Sequence, residues 1–123
     1  WAKQAAPCTS LPTKPFKLIF INMITRIVKL SFREEAVSAF LSIFEESKAS
    51  IAAFPGQKDL TLLRDRMHHH VFFTISIWEN AEALEAYRKS ELFASVWSRT
   101  KALFAEKAEA WSLDELQNRS SWQ

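Results

Sequence analysis

The chain has 123 residues, of which 48% are hydrophobic and 24% charged, the length and make-up of one folded domain. It holds a single glycine, Gly56, where average usage of roughly 7% would supply about nine, so it cannot build the glycine-rich phosphate cradle of a dinucleotide-binding or P-loop protein. The net charge is +2, but Lys3, Lys14 and Lys17 lie in residues 1–22, which carry no acid; the rest has 13 Lys and Arg against 14 Asp and Glu, too even a balance for a nucleic-acid face.

Residues 1–22 contain Pro7, Pro12 and Pro15 and the only cysteine, Cys8. One cysteine excludes an internal disulfide framework and any multi-cysteine zinc site, and a reduced, cytoplasmic setting is the simplest reading. The one apolar run here, Phe16 to Ile21, is interrupted by Lys17. It is too short for a signal-peptide core or a membrane span, and no membrane partner is expected. Met23 opens a well-patterned stretch. Residues 1–22 are therefore expected to be a non-native start or a flexible arm, the alternative being an arm whose Phe16–Ile21 adds an edge strand. The domain is expected over 23–116, with a polar tail over 117–123.

Residues 24–32 read as a strand rich in β-branched residues, with Ile24, Arg26, Val28, Leu30 and Phe32 on one face. Ser31-Phe-Arg-Glu34 has the form of a capping box that opens a helix. Val37, Phe40, Leu41, Phe44, Lys48, Ile51 and Ala52 follow at helical spacing, giving an amphipathic helix of about 20 residues. Pro55-Gly56 ends it.

Residues 58–66 form a second strand, with Leu60 and Leu62 opposite Leu63. After a short connection at Met67-His-His-His70, residues 71–78 form the clearest strand, and the pair implies an antiparallel hairpin. Val71, Phe73, Ile75 and Ile77 lie on one side of it; Phe72, Thr74, Ser76 and Trp78 lie on the other. Asn80 is an N-cap for a helix over 82–89, and Ser90 is a second cap, so the helix breaks and restarts there. Leu92, Phe93, Val96, Trp97, Thr100, Leu103 and Phe104 recur at helical spacing, and residues 108–113 suit a short last strand.

The order β-α-β-β-α-β is the split βαβ, or ferredoxin-like, arrangement of the α+β class: one antiparallel sheet with helices on one face. The open face is expected to carry Phe72 and Trp78 beside Thr74 and Ser76, too apolar for water alone, so a homodimer packed sheet to sheet is expected.

The string Phe72-Phe-Thr-Ile-Ser-Ile-Trp78-Glu79-Asn80-Ala-Glu-Ala-Leu-Glu-Ala-Tyr87, with Ser90-Glu-Leu-Phe93 and Trp97, resembles the antibiotic biosynthesis monooxygenase family. Phe54-Pro55-Gly56 and Ala110-Trp111-Ser112 add to the resemblance, which runs from Met23 to about Leu116. It implies a dimeric α/β barrel and a pocket between the sheet and the second helix. It also implies one of three activities: oxygenation of quinol-like or polyketide substrates by O₂ without a cofactor, binding and degradation of haem, or action on small signalling metabolites. The haem degraders carry tryptophan and an iron-ligating histidine where this chain has Tyr87 and Trp97, and their strand-one asparagine falls near Val28 or Lys29. An indole does not ligate iron, so a haem reading needs altered ligation.

The quinol-type oxygenases often have histidines at the positions of Tyr87 and Leu92. Here Tyr87 is the candidate catalytic residue, holding or relaying a proton as a phenol. Trp78, Phe93 and Trp97 are the candidate substrate-binding residues, supplying flat stacking surface. No cofactor and no metal are expected. His68 and His70 give two ligands at most, and a solvated loop is the simpler reading. Arg88, Arg99 and Lys101 read as solvated helix faces, and Trp111 as packing. The expected function is cofactor-independent oxidation of a quinol-like or polycyclic aromatic molecule, or its non-catalytic binding on the same scaffold.

Overall fold

Four strands and three helices make up most of the computed structural model, which describes residues 23–122. The strands are β1 (Ile24–Phe32), β2 (Gln57–Arg64), β3 (Val71–Trp78) and β4 (Phe104–Leu113). The helices are α1 (Val37–Ala52), α2 (Ala81–Arg88) and α3 (Glu91–Lys101), with a 3₁₀ turn at Glu34–Ala36 leading into α1. The strand order is β2-β3-β1-β4 and every neighbouring pair is antiparallel. This is the α+β, ferredoxin-like arrangement expected. The readings of residues 1–22, including Cys8 and the Phe16–Ile21 strand, lie outside the described residues.

Local signals set most boundaries. The Asn80 side chain accepts a hydrogen bond from the Ala83 N–H at 2.8 Å and caps α2. The Ser90 hydroxyl accepts from the Phe93 N–H at 3.1 Å and caps α3, so the break at Ser90 is real. Gly56 has φ +89°, a conformation open to glycine. A Cβ there would sit 2.4 Å from the Ala83 Cβ, so the loop after α1 packs directly on α2.

Three local readings are corrected. Ser31 does not cap a helix: β1 runs on through Phe32, and the residue at the cap position, Arg33, makes no side-chain cap bond. The reason is packing. Phe32 is fully buried, stacked on Phe40 at 4.2 Å and in ring contact with Phe72 and Phe104, and burial of one such ring stabilises by about 3 kcal/mol or more. Leu103 and Phe104 do not extend α3, because Phe104 pairs with Phe32 and starts β4. The last strand is longer than residues 108–113, for β4 runs over Phe104–Leu113.

A fourth correction concerns the faces of the sheet. Phe72, Ser76 and Trp78 are buried under the helices, and the register aligns them with Leu30, Arg26 and Ile24. Phe73, Ile75 and Ile77 therefore lie on the open face, with Ile27, Leu63 and Trp111 as register neighbours. The two faces of β3 are both apolar, so alternation alone could not say which one the helices cover. The hydrophobic core holds Leu30, Phe32, Phe40 and Phe72, with Trp97 and Phe104 packed against it.

Candidate functional site

The inner face of the sheet is large at its ends and small in the middle. On β3, Phe72 and Trp78 bracket Thr74 and Ser76. Beside those two lie Val28 and Arg26 on β1, then Ala110 and Ser112 on β4. Apart from Arg26 this floor is short-chained, and the helices that rest on Phe72, Leu30 and Trp78 stand clear of it. The space left is a cavity of about 330 Å³, within the range of small-molecule sites. Phe40, Phe44 and Ile51 of α1, Leu84 and Tyr87 of α2, and Phe93, Val96 and Trp97 of α3 close it from above.

All four residues singled out in the sequence line this cavity, and ring contacts join them. The Tyr87 ring stacks on Trp78 at 5.0 Å and meets Phe93 edge-on at 5.2 Å. Phe93 in turn stacks on Trp97 at 5.7 Å, with planes 11° apart. Trp78 is only 1% exposed, and its indole N–H donates to the Ser76 hydroxyl at 3.0 Å. It backs Tyr87, while Phe93 and Trp97 stay half-buried beside the open space.

Burial pushes the Tyr87 phenol up to about 12, because the phenolate loses its hydration in this wall. At neutral pH Tyr87 is a hydrogen-bond donor and not a base. Among the described residues no group hydrogen-bonds to its hydroxyl. Among the described residues no histidine and no carboxylate lines the cavity.

Sequence reasoning missed three polar groups here. Arg26 and Arg88 both line the cavity. Arg26 donates to the Ser112 hydroxyl at 2.8 Å. Its pKa is held below the ordinary guanidinium range by burial first, and then by the charge of Arg88, with Glu85 acting in the opposite direction. Arg88 pairs with Glu85 at 3.3 Å; among the described residues no carboxylate pairs with Arg26. The third group is Gln57, whose buried side-chain nitrogen has no hydrogen-bond partner among the described residues. The available signal for Arg26 was its place in phase with Val28 and Leu30, a charge on an inward row.

The other candidates stand apart. None of His68, His69 and His70 lines the cavity. The Asp65 carboxylate accepts the Met67 and His68 N–H groups at 2.8 and 2.9 Å, which fixes the loop. Arg99 bridges to Glu46 on α1 at 3.4 Å, and Trp111 is 42% exposed on the open face. A groove along α1 and β2 is lined by Lys48 and Lys58, but Glu45 and Glu79 already pair with them. Among the described residues no helix is long and apolar enough to cross a membrane.

The fold recurs in solved structures of low sequence identity. A conserved protein of Methanosarcina mazei Go1 is 12% identical, with a TM-score of 0.76 over 80% of this chain and 98% of that one. A Caulobacter crescentus CB15 protein assigned to the antibiotic biosynthesis monooxygenases is 19% identical, with a TM-score of 0.73 over 85% and 99%. SnoaB of Streptomyces nogalater, a cofactor-independent oxygenase, is 22% identical, with a TM-score of 0.72 over 80% and 97%. No curated protein matches the chain. The sequence model of the antibiotic biosynthesis monooxygenase family matches residues 23–96. With that match over more than half its length, and with this sheet and helix order, the chain belongs to the antibiotic biosynthesis monooxygenase family.

Proposed function

We propose that the protein is a cofactor-independent monooxygenase that oxidises a quinol-like or polycyclic aromatic molecule with O₂. One observation carries this reading: the largely apolar cavity whose wall is the aromatic series Trp78, Tyr87, Phe93 and Trp97. Stacking on Phe93 and Trp97 orients a flat substrate. The substrate hydroxyl loses its proton to water at the mouth. Its phenolate passes one electron to O₂, and the phenoxyl radical and superoxide join as a C–O bond at a ring carbon that bears hydrogen. The peroxide takes up a proton, with the Tyr87 hydroxyl as donor and relay. Loss of the ring-carbon hydrogen as a proton, with cleavage of the O–O bond, leaves C=O and releases water. One oxygen atom enters the product, and the substrate supplies all four electrons.

The homodimer belongs to the same proposal. Phe73, Ile75 and Ile77 beside Ile27, Leu63 and Trp111 form an apolar row on the open face, which a second copy would bury. The single cysteine supports a cytoplasmic setting.

Oxygen uptake with dihydroxynaphthalenes, and incorporation of one labelled oxygen atom from O₂, test the enzyme reading. Uptake no faster than protein-free autoxidation would overturn it. A second reading, non-catalytic binding on the same scaffold, is favoured by one observation: among the described residues no histidine or carboxylate lines the cavity to act as base. Saturable binding of the same compounds with no uptake would select it.

A further inference from the structure

From Arg26 and its setting we infer that the ligand of this cavity is an anionic aromatic molecule, one that carries a carboxylate on its ring. The inference rests on reading the cavity as a small-molecule site, and it goes on to name the class of molecule. Arg26 projects from the middle of β1 onto the inner face of the sheet, level with Ser76 on one side and Ser112 on the other. One hydroxyl, Ser112, accepts from one of its nitrogens. A guanidinium has five N–H donors in a planar fork that matches a carboxylate. The remaining donors of Arg26 meet no carboxylate among the described residues.

Arg88 brings a second positive charge to the same end of the cavity, close enough to oppose the charge on Arg26. Two like charges on the rim of an apolar cavity are unfavourable when it is empty and favourable when an anion sits between them. In partial burial this attraction is only partly screened by salt. Glu85 offsets part of this charge, since it bridges to Arg88 and Lys89 and also attracts Arg26, but one carboxylate does not balance three cations.

The opposite side of the cavity has a complementary feature. The Gln57 side chain also lines the space, and its buried amide nitrogen has no partner among the described residues. β3 separates β2 from β1, and Gln57 lies two residues along from the level of Arg26, so strand spacing and rise put the two about 12 Å apart. An unpartnered buried donor calls for an acceptor. A ring oxygen on one side and a carboxylate on the other fit these two poles, with the rings against Phe93 and Trp97 between them. The same positive field favours the phenolate form of the bound quinol, which lowers the need for a protein base.

The test compares a dihydroxynaphthalene with the dihydroxynaphthoate that adds a ring carboxylate. Binding is read by tryptophan fluorescence, apart from oxygen uptake, so that loss of catalysis and loss of anion preference are separate results. The naphthoate is expected to bind roughly 10- to 100-fold more tightly, as a charge-assisted bidentate contact gives. Arg26→Gln is expected to remove that preference, with a much smaller loss of affinity for the ring without the carboxylate, while Arg26→Lys retains part of the preference. Equal affinity of the two rings for the unaltered protein would overturn the inference. So would a preference that survives Arg26→Gln combined with Arg88→Gln. Preference for the naphthoate without oxygen uptake would uphold it and overturn the enzyme reading alone.

Discussion

The ring of Tyr87 lies on the indole of Trp78 with centroids 5.0 Å apart and planes 29° from parallel. One residue comes from the last turn of α2, the other from the end of β3. The contact fixes the helix to the sheet and aims the only tyrosine of the chain at the wall of the cavity. Phe54 closes the group, 5.3 Å from Tyr87 and 6.3 Å from Trp78. Ring contacts of this kind add about 1 kcal/mol each beyond area burial.

The single tyrosine makes its ionisation directly visible. Ultraviolet titration of the folded protein is expected to show a midpoint near 12, well above the ordinary value of about 10. The sign for stability follows. The folded phenol holds its proton more tightly than the unfolded one, so its contribution is fully present below about pH 10 and is lost as the pH rises towards 12. Denaturant titrations should therefore show this contribution constant up to about pH 10 and falling above it, and the Tyr87→Phe variant should lack this component of the loss. A midpoint near 10 in a protein still folded by circular dichroism would contradict the buried position.

Tyr87→Phe keeps the ring and removes a hydroxyl that has no partner among the described residues. Its stability near pH 7 is expected to change by no more than about 0.5 kcal/mol. If the hydroxyl relays a proton, oxygen uptake should fall by roughly 100-fold, mostly in kcat. Unchanged kcat would remove Tyr87 from the chemistry and leave it a packing role.

Gly56→Ala meets two obstacles at once. Its φ of +89° disfavours a side chain, and the new Cβ would lie 2.4 Å from that of Ala83. A loss of about 2–4 kcal/mol is expected in chemical denaturation. Adding Ala83→Gly removes the collision but not the dihedral cost, so the double variant should recover part of the loss. Full recovery, or none, would show that one of the two causes is absent.

Gln57→Leu replaces an unpartnered buried amide by an apolar chain of similar size. The ligand-free protein is expected to gain about 1 kcal/mol of stability, read as a higher denaturation midpoint. Dihydroxynaphthalene should bind less tightly at the same time. Stability gained with binding unchanged would mean that the amide faces no ligand atom.

Ile75→Glu puts a charge in the middle of the apolar row on the open face. Light scattering should find a dimer before the change and a monomer after it, with little loss of secondary structure. A monomer at micromolar concentration before any substitution would remove the sheet-to-sheet association.

Much of the fold was legible because its signals are local. The caps at Asn80 and Ser90, the turn at Gly56 and the alternation of residues 71–78 each act over a few residues. What was not legible depends on contacts between distant segments. Ser31-Phe-Arg-Glu34 has the pattern of a cap, yet Phe32 is held in the strand by Phe40, Phe72 and Phe104. The inner and outer faces of β3 were exchanged because both are apolar, and only the coverage by helices tells them apart. The aromatic wall could be read from helical spacing and family pattern. Arg26 and Arg88 could not, because a lone charge on an element reads as solvated until the register shows what it faces. The cavity itself follows from side chains that are short, and a run such as Thr74 and Ser76 gives no warning of empty space.

The short, separately capped helix α2 also determines where the molecule opens first. Eight residues cannot hold a helix in water unaided, so α2 persists through the Asn80 cap, the Gly56 contact and the stack of Tyr87 on Trp78. The central strands β1 and β3 have hydrogen-bonded neighbours on both sides. Amide exchange over 81–89 will run ahead of exchange in those strands, since segments held by few contacts open at a fraction of the global free energy. A molecule entering beside Tyr87 meets the least protected stretch of backbone around the cavity, and once bound it should slow that exchange more than any other in the chain.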